Sequence, residues 1–231
     1  MKQRGELEFS VIGKSVPKID GRVKVTGQAK YTGDLNFPNM LIGKILTSPH
    51  AHARILNIDT SEAERLPGVK AVITHKDVPD LKYGISPARW DESIFCSEKV
   101  LFVGDKVAAV AALDEETVYK ALRLIKVDYE VLPAVLDPIE ALREGAPQLH
   151  GAFPGNINTE IHQDFGDVEK AFQEAYHVRT DVYVGQRTYQ CPIEPHSAIC
   201  IWEGGKLTVY SSTQSPHYFQ YYIARQFGLK M

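Results

Sequence analysis

Two short segments of the chain carry side chains whose types could do chemistry. Gln214 follows an apolar stretch and precedes Ser215 and Pro216, which favour the start of a helix. An amide donates and accepts hydrogen bonds, so a glutamine between a strand and a helix can hold a ligand. His50 and His52 would point to one face of a strand, but no third metal ligand lies nearby, which favours packing roles. Taken alone, Gln214 is an ordinary strand-end glutamine, and no catalytic residue is predicted in this chain.

Composition indicates a folded protein and excludes several classes of function. The 231 residues are 44% hydrophobic and 24% charged, and 26 basic and 29 acidic residues give a net charge of −3. This balance argues against nucleic-acid binding, which requires a basic stripe. No secretory signal and no window approaching the ~18 apolar residues of a membrane span is visible, so a cytoplasmic location is expected.

The three cysteines of the chain are widely spaced. Cys96, Cys191 and Cys200 form no Cys-x-x-Cys pair, and three is an odd number. This pattern fits reduced thiols and excludes an iron-sulfur or zinc site built from these cysteines alone.

A strand, helix and strand between residues 107 and 131 are the clearest local prediction. The apolar run 107–113 predicts a buried strand, and Asp114 can cap a helix with apolar residues at positions 118, 121, 122 and 125. Alternation over 127–131 then predicts a second strand. The other elements predicted in this half are an extended lead-in over 1–39, strands over 40–46, 54–59 and 69–74, and a short helix capped by Thr60 or Ser61.

The second half of the chain predicts a helix, a hairpin and a final helix. A Gly-, Pro- and Asn-rich segment over 151–158 indicates a domain boundary near residue 150. A helix over 167–175 and a strand over 178–184 follow. Gly204 and Gly205 predict a hairpin over 199–210, and an apolar helix face runs from Pro216 to Gly228. We expect an α+β fold whose second part, over 151–231, is incomplete and is covered by protein outside this chain.

Five collinear motifs carry a resemblance to a known family. They resemble, in order, signatures of the large molybdopterin-binding subunits of the xanthine dehydrogenase and aldehyde oxidase family. The motifs are 24–32 (KVTGQAKYT) with Asp34, 48–55 (SPHAHARI), 104–110 (GDKVAAV), 127–134 (VDYEVLPA), and 166–168 (GDV) with Ala171 and Phe172.

The resemblance implies a fold and three site residues. Residues 1–150 would form an a/b hammerhead domain with its lead-in, and 151–231 the start of a molybdopterin-binding domain. Gln214, in 212–217 (STQSPH), is similar to the family's Ser-Thr-Gln glutamine, which hydrogen-bonds an oxo ligand of molybdenum. Glu194 resembles the glutamate of a Met-Glu-Pro stretch near the substrate pocket, although Ile193 replaces the methionine, and His196 lies beside it. No side chain is expected to ligate the metal, since pterin sulfur and oxo ligands hold it.

The resemblance also implies a function. The chain would be a component of a molybdopterin-dependent oxidoreductase acting on an aromatic, N-heterocyclic or aldehyde substrate. Within the family, residues 121–133 most resemble the large subunit of 4-hydroxybenzoyl-CoA reductase. The alternative is a non-catalytic scaffold or assembly module of such a complex.

Cofactors and partners are implied in the same way. The molybdenum cofactor is expected in its cytosine dinucleotide form, with [2Fe-2S] clusters and FAD on partner subunits. No position here matches the family's Gly-rich Phe-containing segment or its catalytic glutamate. We therefore expect these parts, and activity, to require the remaining molybdenum-domain polypeptide.

Overall fold

The chain folds into short antiparallel strands and helices. The computed structural model describes residues 9–84 and 90–231. The strands are β1 (Ile42–Thr47), β2 (Ala53–Asp59), β3 (Val69–Thr74), β4 (Lys99–Val100), β5 (Lys106–Ala112), β6 (Lys126–Val131), β7 (Ala198–Glu203) and β8 (Lys206–Ser211). The α-helices are α1 (Gly21–Val25), α2 (Ser61–Glu64), α3 (Glu115–Leu124), α4 (Pro138–Ala141), α5 (Val168–Glu174) and α6 (Pro216–Phe227). Within the described part of the chain, every helix is too short or too polar for a membrane span.

Contacts divide the chain into two units. One contains the lead-in up to residue 37 together with 188–214, and the other contains 38–187 and 215–231. These units do not follow the two predicted domains, because the lead-in packs with the hairpin of β7 and β8, far along the sequence. The predicted domain boundary near residue 150 stays a prediction.

The larger unit has two three-stranded antiparallel sheets. One has the order β1-β5-β3 and the other β4-β2-β6. Helix α3 packs on the first sheet, where Val110 of β5 and Val118 of α3 are fully buried in one apolar cluster. Ala53 of β2 and Val100 of β4, in the second sheet, form another buried cluster with Val107 of β5. The predicted strand, helix and strand over 107–131 are confirmed, and Asp114 caps α3 by accepting the Thr117 N–H over 2.8 Å.

The predicted hairpin is also confirmed. β7 and β8 pair from Ala198 with Ser211 to Glu203 with Lys206. The turn residues Gly204 and Gly205 both have positive φ, of 57° and 78°, a conformation that a side chain would strain. Helix α6 begins at Pro216 and ends before Gly228, which has φ 64°.

Two sequence predictions are wrong. The lead-in is not extended throughout, because it contains α1 and a 3-10 turn over Thr32–Asp34. Residues 178–184 form no strand, and Tyr183 and Val184 are about nine-tenths exposed, at 88% and 92%. Their alternation suits a strand, but a strand forms only when a neighbour accepts its hydrogen bonds, and the described residues supply none.

Candidate functional site

The three predicted site residues lie at the open end of one hairpin. We call residues 194–197 and 212–214, which flank the first pair of β7 and β8, the open end. The Ser212 N–H donates to the Ser197 carbonyl over 3.1 Å, and the Ser197 N–H donates to Ser212 Oγ over 3.0 Å. These bonds hold the incoming and outgoing segments together. The fold therefore brings Glu194 and His196 onto the same end as Gln214.

Gln214 lies three residues beyond Ser211, which pairs with Ala198 at the open end of the hairpin. Its side chain is exposed and makes no hydrogen bond with the residues that the structure describes. The backbone before it is ordered, because the Thr213 N–H donates to the Ser211 carbonyl over 2.9 Å. The amide is thus available to a ligand, and the backbone just before it is held by this bond.

Glu194 and His196 differ in their surroundings. His196 is exposed, whereas Glu194 is half-buried. Glu194 Oε1 accepts a hydrogen bond from the main-chain N–H of Thr32 over 3.3 Å, and Thr32 itself is buried. Sequence reasoning missed Thr32, because a main-chain donor leaves no signature of residue type. The motif over 24–34 includes Thr32, but it does not indicate that the Thr32 N–H contacts Glu194.

The histidine pair has packing roles. His50 and His52 lie in the turn before β2, not on a strand. His52 is 4% exposed, and its Nδ1 lies 2.7 Å from the Pro133 carbonyl, so Nδ1 carries the proton and donates. The His50 ring packs edge-on against Tyr129, with 5.0 Å between centroids. Within the described residues, neither ring belongs to a group of side chains that could hold a metal ion.

A cavity of about 510 Å³ in the larger unit has a different character. Its lining includes Cys96, Asp105 and Lys106. Burial and a hydrogen bond with Asp105 raise the pKa of the Cys96 thiol to about 12, so it stays protonated and is a poor nucleophile or metal ligand. Lys106 Nζ donates to the Tyr83 hydroxyl over 2.6 Å. The Cys96 thiol is thus paired with Asp105, and the Lys106 ammonium is paired with Tyr83. The open end of the hairpin therefore remains the candidate site.

The donors at the open end suit hydrogen bonding to a cofactor and not direct metal ligation. Among residues 9–84 and 90–231, no three His, Cys, Asp or Glu side chains are grouped so that they could hold a metal ion. The amide of Gln214 can donate to an oxo group on a metal that other atoms hold.

Comparison with known proteins identifies two family domains in the chain. Residues 26–133 match the aldehyde oxidase and xanthine dehydrogenase a/b hammerhead domain, and residues 149–231 match the molybdopterin cofactor-binding domain. The predicted α+β fold class, a hammerhead domain followed by the first part of a molybdenum-binding domain, is confirmed.

Individual relatives agree with these domains. A probable xanthine dehydrogenase subunit of Bacillus subtilis is 41% identical over 91% of this chain and 28% of its own length. The nicotinate dehydrogenase large molybdopterin subunit of Eubacterium barkeri is 36% identical over 96% of this chain and 52% of its own length. The solved aldehyde oxidoreductase of Desulfovibrio gigas has a TM-score of 0.80 and 35% identity, over 93% of this chain and 25% of that one. The chain thus spans between a quarter and about half of these relatives.

Proposed function

The chain belongs to the aldehyde oxidase and xanthine dehydrogenase family, as the amino-terminal part of a molybdopterin-binding large subunit, and we propose that the assembled protein is a molybdenum hydroxylase-type oxidoreductase. Its substrate is proposed to be an aromatic, N-heterocyclic or aldehyde compound. The single observation that carries the proposal is the exposed amide of Gln214 at the ordered open end of the hairpin.

Each residue of the open end has a proposed role toward cofactor or substrate. The Gln214 amide N–H donates to an oxo ligand of molybdenum, and its carbonyl remains available to a second partner. Glu194 and His196 line the substrate pocket on the incoming segment. When bound, the molybdenum cofactor supplies two-electron chemistry at this end of the hairpin.

Exposed apolar side chains support a further polypeptide as partner. Six side chains between residues 165 and 193 are more than four-fifths exposed, although aromatic and β-branched groups are usually covered in assembled proteins. These side chains are Phe165, Tyr176, Val182, Tyr183, Val184 and Ile193. We propose that the remaining molybdenum-domain polypeptide covers them and contributes the catalytic base. An iron-sulfur subunit and an FAD subunit are proposed as electron carriers.

Three narrower features of the function are also proposals. The cofactor is proposed in its cytosine dinucleotide form, and the assembly in the cytoplasm. The likeness to 4-hydroxybenzoyl-CoA reductase rests on residues 121–133, which form the end of α3 and β6 and no part of the open end. It therefore carries little information about the substrate.

Metal and cofactor analysis of the assembled protein tests the proposed function. We expect close to one molybdenum and one pterin per copy of this chain, measured by elemental analysis and by fluorescence of the oxidised pterin. Assembled protein that contains no molybdenum after growth with molybdate would remove the proposal.

A scaffold or assembly module is the second candidate function. It is favoured by the self-contained core of the larger unit, whose two sheets and α3 lie apart in sequence from Gln214. Substitution of Gln214 separates the two candidates, because a scaffold tolerates loss of the amide and a cofactor contact does not.

A further inference from the structure

We propose that Thr32 is a positioning residue, whose main-chain N–H orients Glu194 for substrate binding; this rests on the proposed function above. The N–H donates to Glu194 Oε1 over 3.3 Å, although 162 positions separate the two residues. Both residues belong to the smaller unit. As a positioning residue, Thr32 acts through the Glu194 carboxylate.

The Thr32 N–H requires a partner outside its own turn. Thr32 is the first residue of the 3-10 turn over Thr32–Asp34, and the first N–H groups of a helical turn have no acceptor within it. Thr32 is 8% exposed, so water does not readily replace that acceptor. The half-buried Glu194 carboxylate supplies it, and its charge strengthens the bond.

The turn is held on both sides of Thr32. The Tyr31 N–H donates to Asp34 Oδ2 over 3.0 Å, and the Asp34 N–H donates to the Tyr31 carbonyl over 2.9 Å. The turn contacts β7, and the Phe37 ring lies 5.6 Å from the Tyr210 ring of β8. The donor is therefore fixed relative to the hairpin that carries the open end.

The two oxygens of the Glu194 carboxylate have different surroundings. Oε1 of Glu194 is occupied by Thr32, whereas Oε2 has no hydrogen-bond partner among the residues that the structure describes. Holding one oxygen restricts rotation of the carboxylate and presents the other in a defined direction. A prealigned acceptor lowers the cost of ordering a bound substrate.

Hydrogen exchange of the Thr32 amide tests the contact in the assembled protein. In Glu194→Ala we expect this amide to exchange roughly tenfold faster, because the acceptor is lost. Glu194→Gln retains an Oε1 acceptor and should keep most of the protection. Glu203→Ala, which removes a glutamate at the opposite end of the same hairpin, is the matched control and should leave exchange at Thr32 unchanged.

A pair of Thr32 variants tests the consequence for substrate binding. Thr32→Pro removes the N–H, and the extended backbone of Tyr31, at φ −105° and ψ 165°, accepts a following proline. Thr32→Val retains the N–H and the side-chain shape. We expect kcat/KM of Thr32→Pro to be about tenfold below that of Thr32→Val, with KM changed more than kcat and equal molybdenum content. Glu203→Ala should retain wild-type kinetics.

Specific outcomes would overturn the inference. Equal Thr32 exchange in Glu194→Ala and Glu194→Gln would remove the contact, and equal KM in Thr32→Pro and Thr32→Val would remove its role. A purely structural effect would lower the active fraction and kcat while KM stays constant. If Thr32→Pro does not fold, the exchange experiment decides alone. Absence of molybdenum would remove the proposed function and leave the exchange test of the contact intact.

Discussion

The guanidinium of Arg225 lies over the ring of Trp90, with 4.0 Å from Cζ to the ring centroid. The same indole donates from Nε1 to the Tyr222 hydroxyl over 3.3 Å. One turn of α6 is thereby fixed to Trp90, and Gln226 Nε2 adds a bond to the Leu81 carbonyl over 2.9 Å. Tyr222 of α6 thus packs within its own unit, whereas Tyr218 and Phe227 of the same helix remain exposed.

Replacing Trp90 should weaken the attachment of α6. Trp90→Ala removes the cation–π contact and the bond to Tyr222, and we expect the free energy of unfolding to fall by about 1–2 kcal/mol. Urea unfolding followed by circular dichroism measures the change. Trp202→Ala removes a tryptophan that is 60% exposed and should cost less than about 0.5 kcal/mol. Equal losses in the two variants would contradict the anchoring role of Trp90.

Loss of the cap of α3 should lower stability in a pH-dependent way. The Thr117 N–H donates to Asp114 and holds the pKa of that carboxyl below its ordinary 3.8. A carboxyl whose pKa is lower in the folded state stabilises the protein at pH values above its unfolded-state pKa. This contribution is lost as the pH falls through the folded-state pKa. Asp114→Ala should therefore have a lower melting temperature at pH 7. The part due to charge, seen in Asp114→Asn, should decrease as the pH falls below the ordinary pKa of 3.8 and should vanish once the pH is below the folded-state pKa. A difference that persists there would contradict the linkage.

The Cys96 thiol should be unreactive in the native protein. Its pKa of about 12, raised by burial and by Asp105, leaves roughly a thousandfold less thiolate than the ordinary value of 9.0 would. Labelling with iodoacetamide at pH 8, followed by mass spectrometry, should modify the exposed Cys191 and spare Cys96. Both should react in urea. Native labelling of Cys96 at the rate of Cys191 would refute the prediction.

Substitution of Gln214 should reduce turnover without changing the fold. In the assembled enzyme we expect Gln214→Ala to lower kcat about 10–100-fold, the usual effect of removing an outer hydrogen bond at a metal centre. Gln214→Glu keeps the side-chain length but removes the N–H donors and should be at least as impaired. Gln220→Ala, an exposed glutamine on α6, is the matched control. Wild-type turnover in Gln214→Ala would favour the scaffold function.

Elements that depend on contacts between sequence neighbours could be predicted from the sequence, because hydrophobic periodicity and helix caps involve only a few consecutive residues. The buried run of β5, the Asp114 cap and the apolar face of α3 all lie within 20 residues, and each has its own signature of residue type. The hairpin was predictable for the same reason, because Gly204 and Gly205 permit the positive φ of its turn.

Contacts across long sequence separations were decided only by the tertiary structure. Residues 178–184 have the alternation of a strand, yet a strand also needs a neighbour to accept its hydrogen bonds, and none lies within the described residues. The sequence alone determined the elements over 107–131, the hairpin and the motifs around Gln214 and Glu194. Tertiary structure decided that the Thr32 N–H meets Glu194, because every residue except proline carries that donor and only the packing of distant segments selects one.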